Sequence, residues 1–144
     1  MKKNTLVILT LFIILNLITD YTYANNPYFE EAKILFDQKQ YKEAKFYFEK
    51  DIVFNPKNEN SYLYLAKVFK EEKKDNLVEN NLNTVLLLNP RNEEAIYLLA
   101  LLSIKKSNYS KVKELISTLT SVCKKMCSSK LELQKMLDTS LESQ

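Results

Sequence analysis

The sequence predicts an all-α protein, an α-solenoid of three stacked helix pairs closed by a C-terminal capping helix. Three observations carry that prediction. The phrase Asn55-Pro56-Lys57-Asn58-Glu59 returns 34 residues later as Asn89-Pro90-Arg91-Asn92-Glu93. Within each block of that length, apolar residues recur at intervals of three and four, which is one face of a helix. After the third block comes one further apolar stripe, Leu133, Leu137 and Leu141 with Met136 beside them.

Laying 25–58, 59–92 and 93–126 under one another tests the period. It aligns Tyr28, Tyr62 and Ile96; Glu31, Leu65 and Leu99; Ala32, Ala66 and Ala100; Leu35, Phe69 and Ser103. Further along it aligns Tyr41, Asp75 and Tyr109; Ala44, Val78 and Val112; Phe48, Leu82 and Ile116, with no insertion. A fixed period of this size marks one supersecondary unit used several times. Tyr28, Ala32, Leu35 and Phe36 make the first stripe of the first block; Tyr41, Ala44, Tyr47, Phe48 and Ile52 make the second, after a short polar break. Each block is therefore an antiparallel helix pair. Ala32, Ala44, Ala66 and Ala100 fall where two helices must approach closely. One pair cannot bury its apolar face alone, so the copies stack.

Residues 1–24 carry Lys2 and Lys3, then a 13-residue apolar run from Leu6 to Ile18, then Thr22-Tyr23-Ala24 with small residues at both ends. That is the charge, core and cleavage pattern of a secretory signal peptide. The run falls short of the roughly 20 residues that span a bilayer, and Asp20 follows it. The alternative is a retained anchor in the inner membrane. With the leader removed, a periplasmic or secreted chain begins at Asn25, where Asn26 caps and Pro27 opens the first helical turn. Asn58 and Asn92 cap the first helices of the next two copies, and Pro56 and Pro90 stop the helices before them.

Residues 127–144 hold the closing helix, begun by the capping box Ser129-Lys130-Leu131-Glu132. It covers the sticky end of the stack; a helix that docks on another protein is the alternative. Cys123 and Cys127 lie four apart near the end of the third pair. They are either two small semi-buried thiols or, in an exported protein, a disulfide across a helix end. A metal site is disfavoured because the chain has no histidine.

Composition narrows the function. Without histidine there is no Ser-His or Cys-His arrangement, and without glycine there is no phosphate-cradling loop. Adjacent acid pairs, Glu30 with Glu31 and Glu71 with Glu72, point to different sides of a helix. The expectation is a non-enzyme with no cofactor and no metal. The chain has 21 basic and 18 acidic residues; removing the leader leaves it within two charges of neutrality. No basic stripe with interleaved aromatics emerges, which argues against nucleic acid. Lys70 to Lys74, and Lys124 with Lys125, sit at helix ends, where positive charge suits the dipole.

A large residue, then Leu, a small residue, an aromatic, Ala, Phe and Pro at this period resembles the tetratricopeptide repeat, over about 102 of the 144 residues. Lys124 replaces the closing proline of the third copy and Ser103 an aromatic. All three copies lack the turn glycine, carrying Lys39, Lys73 and Ser107 instead. The resemblance implies a right-handed stack whose first helices line a concave groove. At the matching positions that groove carries Phe29, Lys33 and Phe36, then Tyr64, Lys67 and Lys70, then Tyr97, Leu98, Leu101 and Ile104. Such a surface suits a protein or peptide partner with apolar anchors and some acidic character. Tyr97 to Ile104 are alternatively core beneath the closing helix. The carboxylate clamp that reads chaperone tails in this family would fall on Phe29, Lys33, Tyr64, Glu94 and Leu98, which do not supply it. The function implied is an adaptor of the bacterial cell envelope. The alternative is a self-associating subunit, a homo-oligomer joined through Leu98, Leu101 and Leu137, touching membrane only through an uncleaved leader.

Overall fold

Seven α-helices and no strand make up residues 27–142, the part of the chain that the computed structural model describes. The leader expected at 1–24 and the Asn26 cap lie outside it. The helices are α1 (Tyr28–Asp37), α2 (Tyr41–Phe54), α3 (Glu59–Glu71), α4 (Asp75–Leu88), α5 (Glu93–Lys105), α6 (Tyr109–Val122) and α7 (Ser129–Glu142). Each packs on its neighbour in sequence, and α7 lies across both α5 and α6. The arrangement is an α-solenoid.

Local chemistry sets the boundaries. Asn58 accepts a hydrogen bond from the Asn60 N–H at 3.2 Å, and Asn92 accepts one from the Ala95 N–H at 3.0 Å, so each caps a helix start. Asn108 does the same for α6, accepting from the Lys111 N–H at 3.3 Å. Helices α2 and α4 end at Phe54 and Leu88, two residues before Pro56 and Pro90. The closing helix begins differently from expectation. Ser129 is already helical and its N–H donates to the Met126 carbonyl at 3.0 Å. Glu132 is drawn away from Ser129 to accept from the Tyr97 hydroxyl at 3.0 Å, so no capping box closes there.

The core runs the length of the stack. Ala32, Ala44, Ala66 and Ala100 are buried at the close approaches, among Phe48, Leu82, Ile96, Leu99 and Leu119. Ser103, the polar residue at an aromatic position, is buried without a lost hydrogen bond, because its hydroxyl donates to the Leu99 carbonyl at 2.8 Å. On α7 only Leu133 and Leu137 are buried. Leu141 and Met136 are exposed, so the apolar stripe is narrower than its spacing suggests.

One turn joins the two helices of each pair, and all three turns use a left-handed residue that is not glycine. Lys39, Lys73 and Ser107 have φ of 61°, 58° and 56°. In the first turn the Lys39 N–H reaches the Phe36 carbonyl and the Gln40 N–H the Leu35 carbonyl, both at 2.9 Å. The other two turns repeat this pattern, a Schellman ending that satisfies the last carbonyls of α1, α3 and α5. A side chain with a Cβ in this conformation costs roughly 1–2 kcal/mol. Replacing Lys73 with Gly is therefore expected to raise stability by about 1 kcal/mol. A thermal melt checks this: an unchanged or lower midpoint would show that the turn carries no strain.

Candidate protein-binding groove

Residues expected to line the groove divide into three groups in space. In the first copy, Phe29 and Phe36 both turn toward Tyr64 of the second. Their rings meet Tyr64 edge-on, with centroids 5.7 Å and 5.2 Å away, and Phe48 approaches it at 5.2 Å. Offset and edge-on aromatic contacts of this kind contribute beyond simple area burial. These rings join copy one to copy two, leaving Lys33 as the exposed member of the group.

The second group surrounds a cavity of about 280 Å³ between α3 and α5, closed at one end by the first turn of α4. Its floor is Ala66, Val78, Leu98, Leu101 and Leu102; its rim is Lys67, Lys70, Lys73, Asp75 and Lys105. Two rim lysines are neutralised. Lys67 pairs with Glu94 at 2.8 Å while its ammonium lies 4.4 Å from the Tyr64 ring centre, and Lys105 pairs with Asp75 at 2.6 Å. Lys70 and Lys73 have no carboxylate within 4.0 Å among the described residues. The rim therefore carries uncompensated positive charge beside an apolar floor.

Sequence reasoning found Lys67, Lys70, Leu98 and Leu101 of this cavity and missed Lys73, Asp75, Val78, Leu102 and Lys105. The signal for the missed pair was available. The first residue of a second helix meets the last residue of the next copy's first helix, as Asp75 meets Lys105 and as Glu79 meets Lys106 one turn on.

Tyr97 belongs to the third group and serves the closing helix. Its hydroxyl donates to Glu132, and burial followed by that carboxylate raises its pKa above the ordinary tyrosine value. Ile104 is half-buried against the core. Leu137, on the inward face of α7, is 1% exposed, so two copies cannot meet through it unless that helix first lifts away.

Cys123 and Cys127 are joined as a disulfide with Cα atoms 5.2 Å apart. It does not span a continuous helix, because α6 stops at Val122 and Cys123 is extended, at φ −61° and ψ 141°. The loop it closes wraps the Glu93 carboxylate: Oε1 accepts from the Lys124 N–H at 2.8 Å, and Oε2 from the Lys125 and Met126 N–H groups at 3.0 Å and 2.6 Å. Consecutive backbone N–H groups aimed at one point form an anion-binding concavity. Among the described residues no cluster of three or more His, Cys, Asp or Glu could hold a metal ion, and no helix is long and apolar enough to cross a membrane.

No protein-family model and no curated protein matches this chain. Solved structures do. The first TPR of Spaghetti (RPAP3), bound to the HSP90 peptide SRMEEVD, is 19% identical at a TM-score of 0.69, covering 78% of this chain and 89% of that one. The Yersinia enterocolitica type III secretion chaperone SycD, in complex with a peptide of the translocator YopD, is 11% identical at 0.71, covering 81% and 92%. The Sgt2 TPR domain from Aspergillus fumigatus is 13% identical at 0.65, covering 85% and 80%. The fold is that of tetratricopeptide-repeat domains. In this stack the cavity lies between the first helices of the second and third helix pairs.

The loop around Glu93 has a pH signature. The Met126 N–H, then those of Lys124 and Lys125, hold its carboxyl below the ordinary glutamate value, against an opposing effect of burial. A depressed folded pKa stabilises fully above the unfolded value and is lost as pH falls through the folded one. Amide protection at residues 124–126 is expected to hold at neutral pH and to fall once pH is taken below about 4.3, the ordinary glutamate range. Glu93→Gln should abolish that step; a step that survives the substitution refutes the assignment.

Proposed function

We propose that this protein is a non-catalytic adaptor that holds an acidic segment of a partner protein, seating one apolar side chain of it in the cavity between α3 and α5. The observation that carries this reading is the pairing of an apolar floor with Lys70 and Lys73, which have no carboxylate within 4.0 Å among the described residues. A cavity of this size takes one anchor side chain rather than a whole ligand, which for small molecules needs roughly 300–1,000 Å³. An anchor in a desolvated pocket with acidic flanks is how a few residues dominate an interface. Neighbours with this fold that are bound to peptides support a peptide segment as the partner.

Recognition differs from the chaperone-tail clamp. At that motif's positions the chain has Glu94, already paired with Lys67, and Leu98 on the cavity floor. The partner is read along its length and not by its terminal carboxylate. An exported site of action in the cell envelope fits the leader pattern at 1–24 and the disulfide, since disulfides persist in oxidising compartments.

Two measurements test this reading. Fluorescence anisotropy with acidic peptides carrying one Leu or Phe should show binding that Leu101→Lys and Lys70→Glu each weaken by roughly tenfold or more. C-terminal amidation of the peptide should change nothing. Equal binding by the variants, or a strong dependence on the free carboxylate, would overturn the assignment. Mass spectrometry of the exported protein should give Asn25 as its first residue; an intact Met1 in the membrane fraction would show that the leader is retained.

A further inference from the structure

We propose that the Cys123–Cys127 disulfide is a thiol-exchange site through which a dithiol reductant releases the C-terminal cap. Three observations converge on the loop. The disulfide closes a five-residue ring, 123–127, and that ring contains all three backbone N–H groups that hold Glu93. Glu93 is the first residue of α5, so the ring fastens the end of α6 to the start of α5. The same ring leads directly into α7, whose first turn is tied to α5 by Tyr97 and Glu132. Loop, carboxylate and closing helix form one mechanical chain.

The ring has to be closed for the N–H groups to converge. Open, a five-residue segment without proline samples many backbone conformations, and few of them aim three consecutive amides at one carboxylate. Besides the tie from Tyr97 to Glu132, α7 is held at its far end by the Tyr109 hydroxyl, which donates to the Ser140 carbonyl at 3.5 Å, and by a small apolar face. Its buried apolar residues are Leu133 and Leu137, and Leu131, Met136 and Leu141 face solvent. An element with so few buried side chains belongs to the low-stability end of a fold. The helices that α7 packs against are α5 and α6 and not α1–α4, so release stays local.

Exchange proceeds at the more exposed cysteine. Cys127 is exposed and Cys123 half-buried, so a thiolate of the reductant attacks Cys127 Sγ. The Cys127–reductant bond forms, the Cys123–Cys127 bond breaks, and Cys123 leaves as a thiolate that takes a proton. The second thiolate of the reductant then attacks its own sulfur in the mixed disulfide and expels Cys127, which is protonated in turn. Two electrons and two protons have passed to the protein, and the dithiol has become a disulfide.

Hydrogen exchange on the full chain, oxidised and after treatment with dithiothreitol, tests the proposal at neutral pH. Reduction is expected to raise exchange at residues 124–126 and along α7 by roughly tenfold or more while α1–α4 stay protected. The double variant Cys123→Ser with Cys127→Ser should match the reduced protein without any reductant, and adding Glu93→Gln to it should change little. Unchanged exchange on reduction overturns the proposal. Faster exchange at 124–126 alone shows that the ring does not govern the cap, and loss of protection throughout the chain shows a global staple; either result also overturns it.

Discussion

A hydrogen-bonded carboxylate at each junction between copies fixes how the helix pairs lean on one another. Between the first and second, Asp51 at 1% exposure accepts from the Asn58 side chain at 2.7 Å and from the Ser61 hydroxyl. Between the second and third, Glu59 accepts from the side chains of Asn89 and Asn92 at 2.8 Å and 3.1 Å. Between the third pair and the cap, Glu93 accepts from the backbone of 124–126. Glu59 and Glu93 occupy the same place in the repeat, one period apart. Asn58 and Asn92 of the repeated phrase thus cap a helix with one atom and hold a carboxylate with another. Apolar faces slide over one another with little preference for register, whereas a charge-assisted hydrogen bond is lost within an ångström or so of displacement.

Where the phrase is missing, the chain solves the same problem differently. After the third pair there is no asparagine at the positions matching Asn89 and Asn92; Cys123 and Met126 stand there. The side-chain donors are replaced by backbone donors, and a backbone loop must be held in shape to offer them. That need accounts for a disulfide at this junction alone. Ordinary junctions keep their shape through proline and asparagine, and the terminal one through a covalent ring.

The sequence made the helices and their pairing legible because both follow from period and apolar spacing, which a stack repeats at every copy. Asn58 and Asn92 were legible for the same reason, since a cap needs only a short side chain before a stripe. Three features were not. The start of α7 resembled a capping box, but Glu132 had a second suitor in Tyr97, 35 residues away, and local pattern contains no information about that. The cysteines left several arrangements open because the end of α6 is marked by neither proline nor glycine. The ring contacts in the first third of the groove were the third: position alone says that Phe29 and Phe36 face inward, and says nothing of their meeting Tyr64.

That last point explains where the cavity is. Tyr64 and Leu98 occupy equivalent places in successive repeats. Between the first and second copies, the Tyr64 ring fills the space between first helices, touching three phenylalanines. Between the second and third, Leu98 takes its place opposite Ala66 and is too short to reach across, so about 280 Å³ stays open. Protein interiors are otherwise packed to crystal density, and an apolar space of this kind at a surface persists when its lining residues are tied to other partners. Here Lys67 is drawn to Glu94 and Lys105 to Asp75, which holds the two lysine stems at the rim instead of across the floor. Leu98 in place of Tyr64, with Lys70 where the first copy has Phe36, and two ion pairs to keep the entrance clear, turn a repeat junction into a socket.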